Sequence, residues 1–518
     1  MMRQRIGTFF CLFIWVSFTS SLIYGQEVNT LDTIGRKMRY VGIDHPMWLE
    51  QLVEPRYSDI RLGYGVEKGG YRTAQQADRI RQIGFKSEGS VTIKDVRLWG
   101  SFSYRNAMED STRFGHQTRH NPQAPFYFAS YGANHYERTD YRIQVRGQRY
   151  FNNKKWSLFG GVDYVLGDHF SNNDPRGSID VFQVDGSLGV GYELAADWQI
   201  GIEGAYGYGQ EAVEVAYRND QYALQAIESP YLNYTVYGYG WRVQDWLLDK
   251  GLHYQTNMKR PAMKGYVSHT VGKSRLYAYM EYENERHRYE QVLRNESRKN
   301  DLTAYESDAF DYGVQWHMKK DNRQFYLYFQ GLNKRGKDKL PAEWNGLNNY
   351  VYQSDRYHVL GAYSRQHDRW QYDYESGFVY NQERKYDGGS GTLLDYMRIN
   401  TELSFMITRI TAKKQHLQVG IAALANFTPT LQWELPQINE NIFHRYVFYH
   451  DVNYYQTNNY GGAVNLGFRQ LINGGRFLHW SLRYQSVLAN GFVPMQNIYD
   501  AYPANERSQL NISMAYGF

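Results

Sequence analysis

The last ten residues constrain this chain more than any other stretch. Positions 509–518 read QLNISMAYGF. Leu510, Ile512, Met514, Tyr516 and Phe518 fall on one face of an extended strand, and Gln509, Asn511, Ser513, Ala515 and Gly517 on the other. One face is apolar, the other polar or small, and the strand ends on an aromatic ring. Strict alternation of this kind is expected where one face meets hydrocarbon and the other meets water, as in the wall of a transmembrane β-barrel.

The same alternation recurs along the chain. Val96, Leu98, Phe102 and Tyr104 alternate with Arg97, Trp99, Ser101 and Ser103. Tyr141, Ile143 and Val145 alternate with Arg142, Gln144 and Arg146. Phe310, Tyr312, Val314 and Trp316 alternate with Asp311, Gly313, Gln315 and His317. This is the period of a half-buried strand. Short polar turns are predicted at 89–94, 151–155, 193–197, 272–274, 319–323, 366–369, 408–414 and 473–476. Longer loops are predicted at 106–139, 210–261, 336–355 and 429–455. Eight short turns give eight hairpins. An opening strand at 58–67 and a closing strand at 506–518 bring the expected count to 18. That count requires 231–241 to be a hairpin arm or lid within a loop. The fold class expected is all-β, an up-and-down antiparallel barrel with a short N-terminal plug-like segment and long loops at one end.

The front of the chain fits. Arg3 and Arg5 precede an apolar run from Ile6 to about Val16, with small residues ending near Gly25. This reads as a secretory signal over 1–25. The single cysteine, Cys11, lies inside it. The remainder then has no disulfide, no thiolate metal site and no cysteine-linked lipid. Beyond the signal there is no apolar run of about 18 residues, so any crossing of a bilayer is by strands. Aromatic content is 17%, with 49 Tyr and 12 Trp, although the mean hydropathy is only −0.67. Interfacial girdles and a wet lumen account for both. The net charge of +5, or +3 without Arg3 and Arg5, is no nucleic-acid signature.

Residues 26–56 precede the first strand and 57–518 form the barrel in this reading. Met47, Trp48 and Leu49 have no outward strand position of their own and are predicted to pack inside the mouth as a plug. The candidate lumen-lining residues are Arg61, Arg97, Arg142, Arg146 and Arg483, with Asp163, Glu203, Asp311, Asp373 and Glu375. An outward arginine at mid-bilayer costs about 2–4 kcal/mol, so the arginines are expected to face water. The basic set comes from strands that closure brings together and the acidic set from the middle of the chain. A field across the lumen is expected if the two sets sit on opposite walls; the alternative is that these groups pair with infolded segments and fill the lumen. Lys334, Arg335, Lys337 and Lys339 are expected at the outer rim, facing lipopolysaccharide phosphates or solvent.

Catalysis and metal binding are not expected. His479 and Ser481 share a face, but about 7 Å separates alternate positions of a strand, beyond the reach of a base to its nucleophile. His450 and Asp451 are neighbours that would point apart on an extended chain. Asp168, Asn172, Asn173 and Asp174 lack the spacing of a calcium loop and read as turn chemistry. No cofactor motif is present.

The signal, the Tyr-rich strands, the Gly-Tyr-Gly repeats and the terminal Phe together resemble a Bacteroidota-type outer-membrane barrel. The resemblance implies that Tyr516 and Phe518 form the sorting signal read by the barrel-assembly machinery, with both termini periplasmic. Positions 41–54, GIDHPMWLE among them, are similar in placement to the short N-terminal plug of fatty-acid-transporter-type barrels. A TonB-dependent receptor is not implied, because its plug needs on the order of a hundred residues and about 31 are available here. The expected role is a channel, or a membrane-embedded subunit of an uptake complex, for small polar or amphipathic solutes. The rivals are a sealed barrel partnering a TonB-dependent receptor or surface lipoprotein, and a barrel enzyme acting on lipid or peptide. Outer-membrane lipid and lipopolysaccharide are the expected surroundings.

Overall fold

The structure, a computed structural model, describes residues 32–117, 126–223, 229–243, 252–292, 299–340, 346–411, 415–472, 475–490 and 503–518. The signal reading at 1–25 and positions 26–31 lie outside these residues.

In chain order the strands are β1 (Tyr57–Lys68), β2 (Arg79–Ile93), β3 (Val96–Thr112), β4 (Phe126–Ala129), β5 (Asn134–Phe151), β6 (Trp156–Ser171) and β7 (Arg176–Ala195). Then come β8 (Trp198–Ala216), β9 (Tyr234–Tyr237), β10 (Trp241–Val243), β11 (Leu252–Val271), β12 (Ser274–Val292), β13 (Lys299–Lys320) and β14 (Arg323–Lys339). The last are β15 (Tyr350–His367), β16 (Trp370–Asp387), β17 (Thr392–Ile410), β18 (Gln415–Glu434), β19 (Asn458–Leu471), β20 (Phe477–Asn490) and β21 (Glu506–Gly517). All but β4, β9 and β10 form one 18-stranded antiparallel sheet. It closes because β1 pairs with both β2 and β21. The strand count and the closing strand are as the sequence predicts.

The connections expected at 151–155, 193–197, 272–274, 319–323 and 366–369 fall there, whereas β2 runs on to Ile93 and moves the first turn to positions 94–95; the turns expected at 408–414 and 473–476 lie partly outside the described residues. Lys94, Asp321, Asp368 and Gly272 take left-handed backbone conformations at two-residue connections, the geometry that follows the twist of a hairpin. The strands run past the predicted loop boundaries at the other end. β3 extends to Thr112, β5 begins at Asn134, and β14 continues to Lys339. Polar strand positions there were read as loop, although alternation persists through them.

Outward positions form an apolar band. On β6, Trp156, Leu158, Val162, Tyr164 and Leu166 face out before Asp168. Their span is on the order of the 9–11 residues a tilted strand needs to cross a bilayer. Rings pair across strands at both edges of the band, as in Trp156–Tyr192 (4.5 Å) and Tyr282–Phe310 (4.9 Å).

Three buried apolar clusters lie inside the barrel, the smallest formed by Ile43, Leu49, Val53, Tyr57 and Trp99. Another surrounds Trp48 near the short turns. The largest, an aromatic one, fills the end that carries the long loops. The sheet formed by β4, β9 and β10 belongs to this last cluster, so the 231–241 segment is a hairpin inside the mouth and not a wall strand.

Candidate functional site

The floor of the lumen is built by the chain just before β1. Asp32 caps the helix Thr33–Asp44 by accepting from Gly35 N at 2.7 Å. Ile34, Met38 and Val41 bury one face of that helix. A 3-10 turn at Pro46–Trp48 follows, with proline at its start where no hydrogen bond is lost. Met47, Trp48 and Leu49 are all 2% exposed or less. Trp48 meets the rings of His45, Tyr266 and Tyr277 edge-on at 5.0–5.4 Å. Gly201 on β8 makes room for Met47: a Cβ there would sit 2.5 Å from its sulfur.

The wall grips this segment by its backbone. Arg146 donates to Ile43 O at 3.1 Å, Arg97 to Val53 O at 2.5 Å, Gln148 to Met47 O and Ser90 to Glu54 O. Gln148 also accepts from Glu50 N at 2.7 Å. Two side-chain pairs add to the grip, Thr33 with Asp373 at 3.2 Å and Lys37 with Glu375 at 2.9 Å, while Arg39 with Glu54 at 2.6 Å braces the segment internally.

Above the floor lies a cavity of about 900 Å³. Its walls mix charge with aromatic and amide groups. Arg146 meets Asp163 at 2.6 Å and Arg142 meets the same carboxylate at 3.4 Å. Lys264 meets Glu281 at 2.9 Å. Asp311 accepts from Tyr279 and Gln330 at 3.1 and 2.9 Å. Burial holds the floor's His45 ring neutral, its pKa lowered to about 3. Burial also raises the Asp44 carboxyl.

The roof is made of infolded loops. β9 pairs with β4 and β10, and Phe126, Tyr127, Val447, Phe448 and Val452 pack with them. The helix Tyr449–Gln456 lies in this layer. Buried carboxylates tie it to the wall: Asp387 accepts from Tyr239 N and Trp241 N at 2.6 and 3.2 Å. Asp338 accepts from Asn349 N and Tyr350 N, both at 2.7 Å. Lys385 meets Glu383 at 3.2 Å and lies 5.0 Å over the Tyr239 ring.

Every candidate lumen residue projects from an inward strand position, but the roles differ from the sequence reading. Arg97 and Arg146 are 7% and 8% exposed and hold the floor. Arg142 is half exposed to the chamber. Glu203 accepts from Tyr266, Asp59 lies 3.7 Å from Arg61, and Arg483 faces Glu402 at 3.4 Å. Opposite charges meet within β1, between neighbouring β5 and β6, and from β20 to β17, so part of the charge in the lumen is paired. The basic cluster also splits. Lys334 turns inward to Glu285 at 3.2 Å, while Arg335, Lys337 and Lys339 are exposed on the outward face. Strand alternation carried through Lys339 is the cause.

The remaining candidates are not assembled into sites. Ser481 shares a hydrogen bond with Ser513 at 2.6 Å, and no such bond joins it to His479. His450 donates to Arg72 O and Asp451 accepts from Ala74 N. Asp174 caps the backbone of Arg218 and Asn219. Among the described residues there is no metal-ligand cluster. Sequence reasoning missed Gln148 and Ser90. Gln148 was in phase with Arg142 and Arg146, but its partner is a carbonyl that no pattern announces.

Comparisons with known proteins place these features in a family. No functionally curated protein matches the sequence. The chain is similar to the solved ferric preacinetobactin receptor BauA of Acinetobacter baumannii, at 8% identity, over 90% of this chain and 80% of that one, with a TM-score of 0.39. It is also similar to the pyoverdine receptor FpvA of Pseudomonas aeruginosa, at 10% identity, over 90% and 79%, with a TM-score of 0.40. CdiB from Acinetobacter baumannii is similar at 9% identity, over 90% and 61%, with a TM-score of 0.34. The sequence profile of one family matches residues 46–518, all of the barrel and the last part of the floor. The chain therefore belongs to the family of unknown function DUF6850.

Proposed function

We propose that this protein is an outer-membrane barrel that moves small polar solutes through an internal chamber closed at rest. In this reading the short turns and both termini face the periplasm and the long loops face outward. The outward apolar band with aromatic edges supports residence in a bilayer. Arg335, Lys337 and Lys339 then stand where lipopolysaccharide phosphates would lie, and Tyr516 and Phe518 serve the barrel-assembly machinery.

The observation that carries the reading is the polar chamber of about 900 Å³ bounded by a floor made from the chain's N-terminal side. The floor is held by hydrogen bonds and ion pairs that water can replace, together with the side chains buried around Trp48 and Leu49. Displacing it leaves every wall ladder intact. We place its release with a periplasmic partner, which makes the barrel a membrane-embedded subunit of an uptake complex.

The test is single-channel recording in planar bilayers. The parent should conduct little, and deletion of 32–54 should raise conductance while the barrel still folds. Arg142→Glu in the deleted barrel should shift the reversal potential toward cation selectivity. A folded deletion variant that conducts no more than the parent sinks the channel. One observation favours a second reading: the roof is an aromatic core as well packed as a protein interior. A sealed accessory barrel, partnering a TonB-dependent receptor or surface lipoprotein, would remain closed without its floor and would retain that partner in mild detergent.

A further inference from the structure

The chamber walls also bear on what kind of solute fits. Four cationic and five anionic side chains line the cavity, so no strong net charge selects an ion. The strongest charges are already occupied. Lys37 is held by Glu375, Lys264 by Glu281, and Arg146 by Asp163, all at 2.6–2.9 Å. A charged solute would have to displace an intramolecular partner at each of them. A neutral solute with many hydroxyls would not, because carboxylates and guanidinium groups in pairs keep spare acceptor and donor positions.

The groups left over suit such a solute. Tyr328 of β14 lines one side of the cavity and Tyr40 rises from the floor, while Tyr279 of β12 and Tyr326 of β14, with β13 between those two strands, are buried in the core around Trp48. Tyr328 and Tyr40 offer flat apolar faces with polar edges. The Asn400 amide lines the cavity and makes no side-chain hydrogen bond among the described residues. An amide with spare donors and acceptor at a cavity wall can take a ligand or a water. The volume is at the upper end for one small ligand.

From this combination of paired charges, tyrosine faces and a free amide, we infer that the chamber binds a neutral polyhydroxy solute the size of a di- or trisaccharide. Its Asn400 would hydrogen-bond hydroxyls, and Tyr328 with Tyr40 would pack against a C–H face. This solute class deepens the transport reading above and rests on it.

The test uses the full chain in detergent micelles, titrated calorimetrically with maltotriose, cellotriose and mannotriose. Trialanine and citrate serve as charged probes of comparable size. Saturable binding of at least one trisaccharide is expected, insensitive to added salt. Asn400→Ala and Tyr328→Ala should each weaken it about tenfold or more, and Tyr328→Phe should weaken it less while preserving packing. Tighter binding of trialanine or citrate overturns the assignment. So does the absence of saturable binding by all three sugars, or binding that ignores these substitutions in folded variants. Conductance is read separately. A sugar that binds a barrel unable to conduct keeps the site and removes transport, whereas conductance without sugar binding does the reverse.

Discussion

The floor and the roof close the same lumen by different means. The floor is one continuous segment, 32–56, fastened to the wall by carbonyl-directed hydrogen bonds and ion pairs around a small aromatic core. The roof draws on several separate loops and buries a much larger set of rings, with the wall carboxylate of Asp387 pointed at its backbone amides. Net hydrogen-bond contributions are about 0.5–1.5 kcal/mol each, while burying a large apolar side chain contributes about 1.5–3 kcal/mol. The comparison teaches that the roof is the larger packed unit, whereas the floor, which also buries side chains around Trp48 and Leu49, is a single segment that can move in one piece.

The contrast breaks most readily at the roof. Phe448 is fully buried there, and Phe448→Ala should destabilise by about 3–5 kcal/mol, read as a lowered unfolding midpoint. A loss under about 1 kcal/mol would mean that the roof is not a packed core.

Acid comes next. His444 and His450 in the roof hold pKa values of about 4, lowered by burial, against about 6.5 in the unfolded chain. Their contribution is present above pH 6.5 and is lost as pH falls toward 4. Asp451 is raised by burial to about 6, against about 3.9 unfolded. Its charged form costs stability above pH 6, and that cost is relieved as pH falls toward 4. Two histidines outweigh one aspartate, so between pH 7 and 4.5 the roof should lose on the order of 3 kcal/mol. Hydrogen exchange over 435–457 should quicken accordingly. Unchanged protection would count against buried neutral histidines.

A smaller and local effect is expected at the floor. Arg146→Ala removes the donor to Ile43 O and the partner of Asp163. It should loosen 33–54 by about 1–3 kcal/mol, visible as faster exchange and proteolysis of that segment with the global midpoint nearly unchanged. If the whole barrel weakens equally, the floor is not an independent unit. Least of all should follow from Arg335→Ala, which breaks an exposed pair with Asp355. A change within about 1 kcal/mol is expected.

The wall was legible because its information is local. Alternation needs only neighbouring residues, and turn positions such as Gly272 and Asp368 carry their own backbone preference. The phase of Arg97 and Arg146 could be read the same way. Their partners could not, since Val53 and Ile43 lie 44 and 103 residues away and offer only carbonyls. Lys334 was misread because a run of basic residues looks like a loop, although it keeps phase with Tyr326 and Gln330 through β14. The roof was hardest. Residues 231–241 announced a hairpin arm or lid, but nothing in the spacing says that a loop turns inward to meet Phe443 and Phe448.

The seam between β1 and β21 has a consequence for how the molecule comes into being. It carries ten residue pairs, fewer than any other ladder of the wall, and ends with Ser58 and Phe518 exchanging backbone hydrogen bonds at 2.9 and 3.0 Å. The two-residue hairpins join near neighbours and can form early, but this pairing unites nearly the first and last residues of the described chain. Pairings of such sequence separation form slowly. Until they do, β1 and β21 each present an open edge that can recruit any other strand, including another copy's. The slowest event in this molecule's assembly is therefore also its most vulnerable, and the edges must be kept apart from strangers until they find each other.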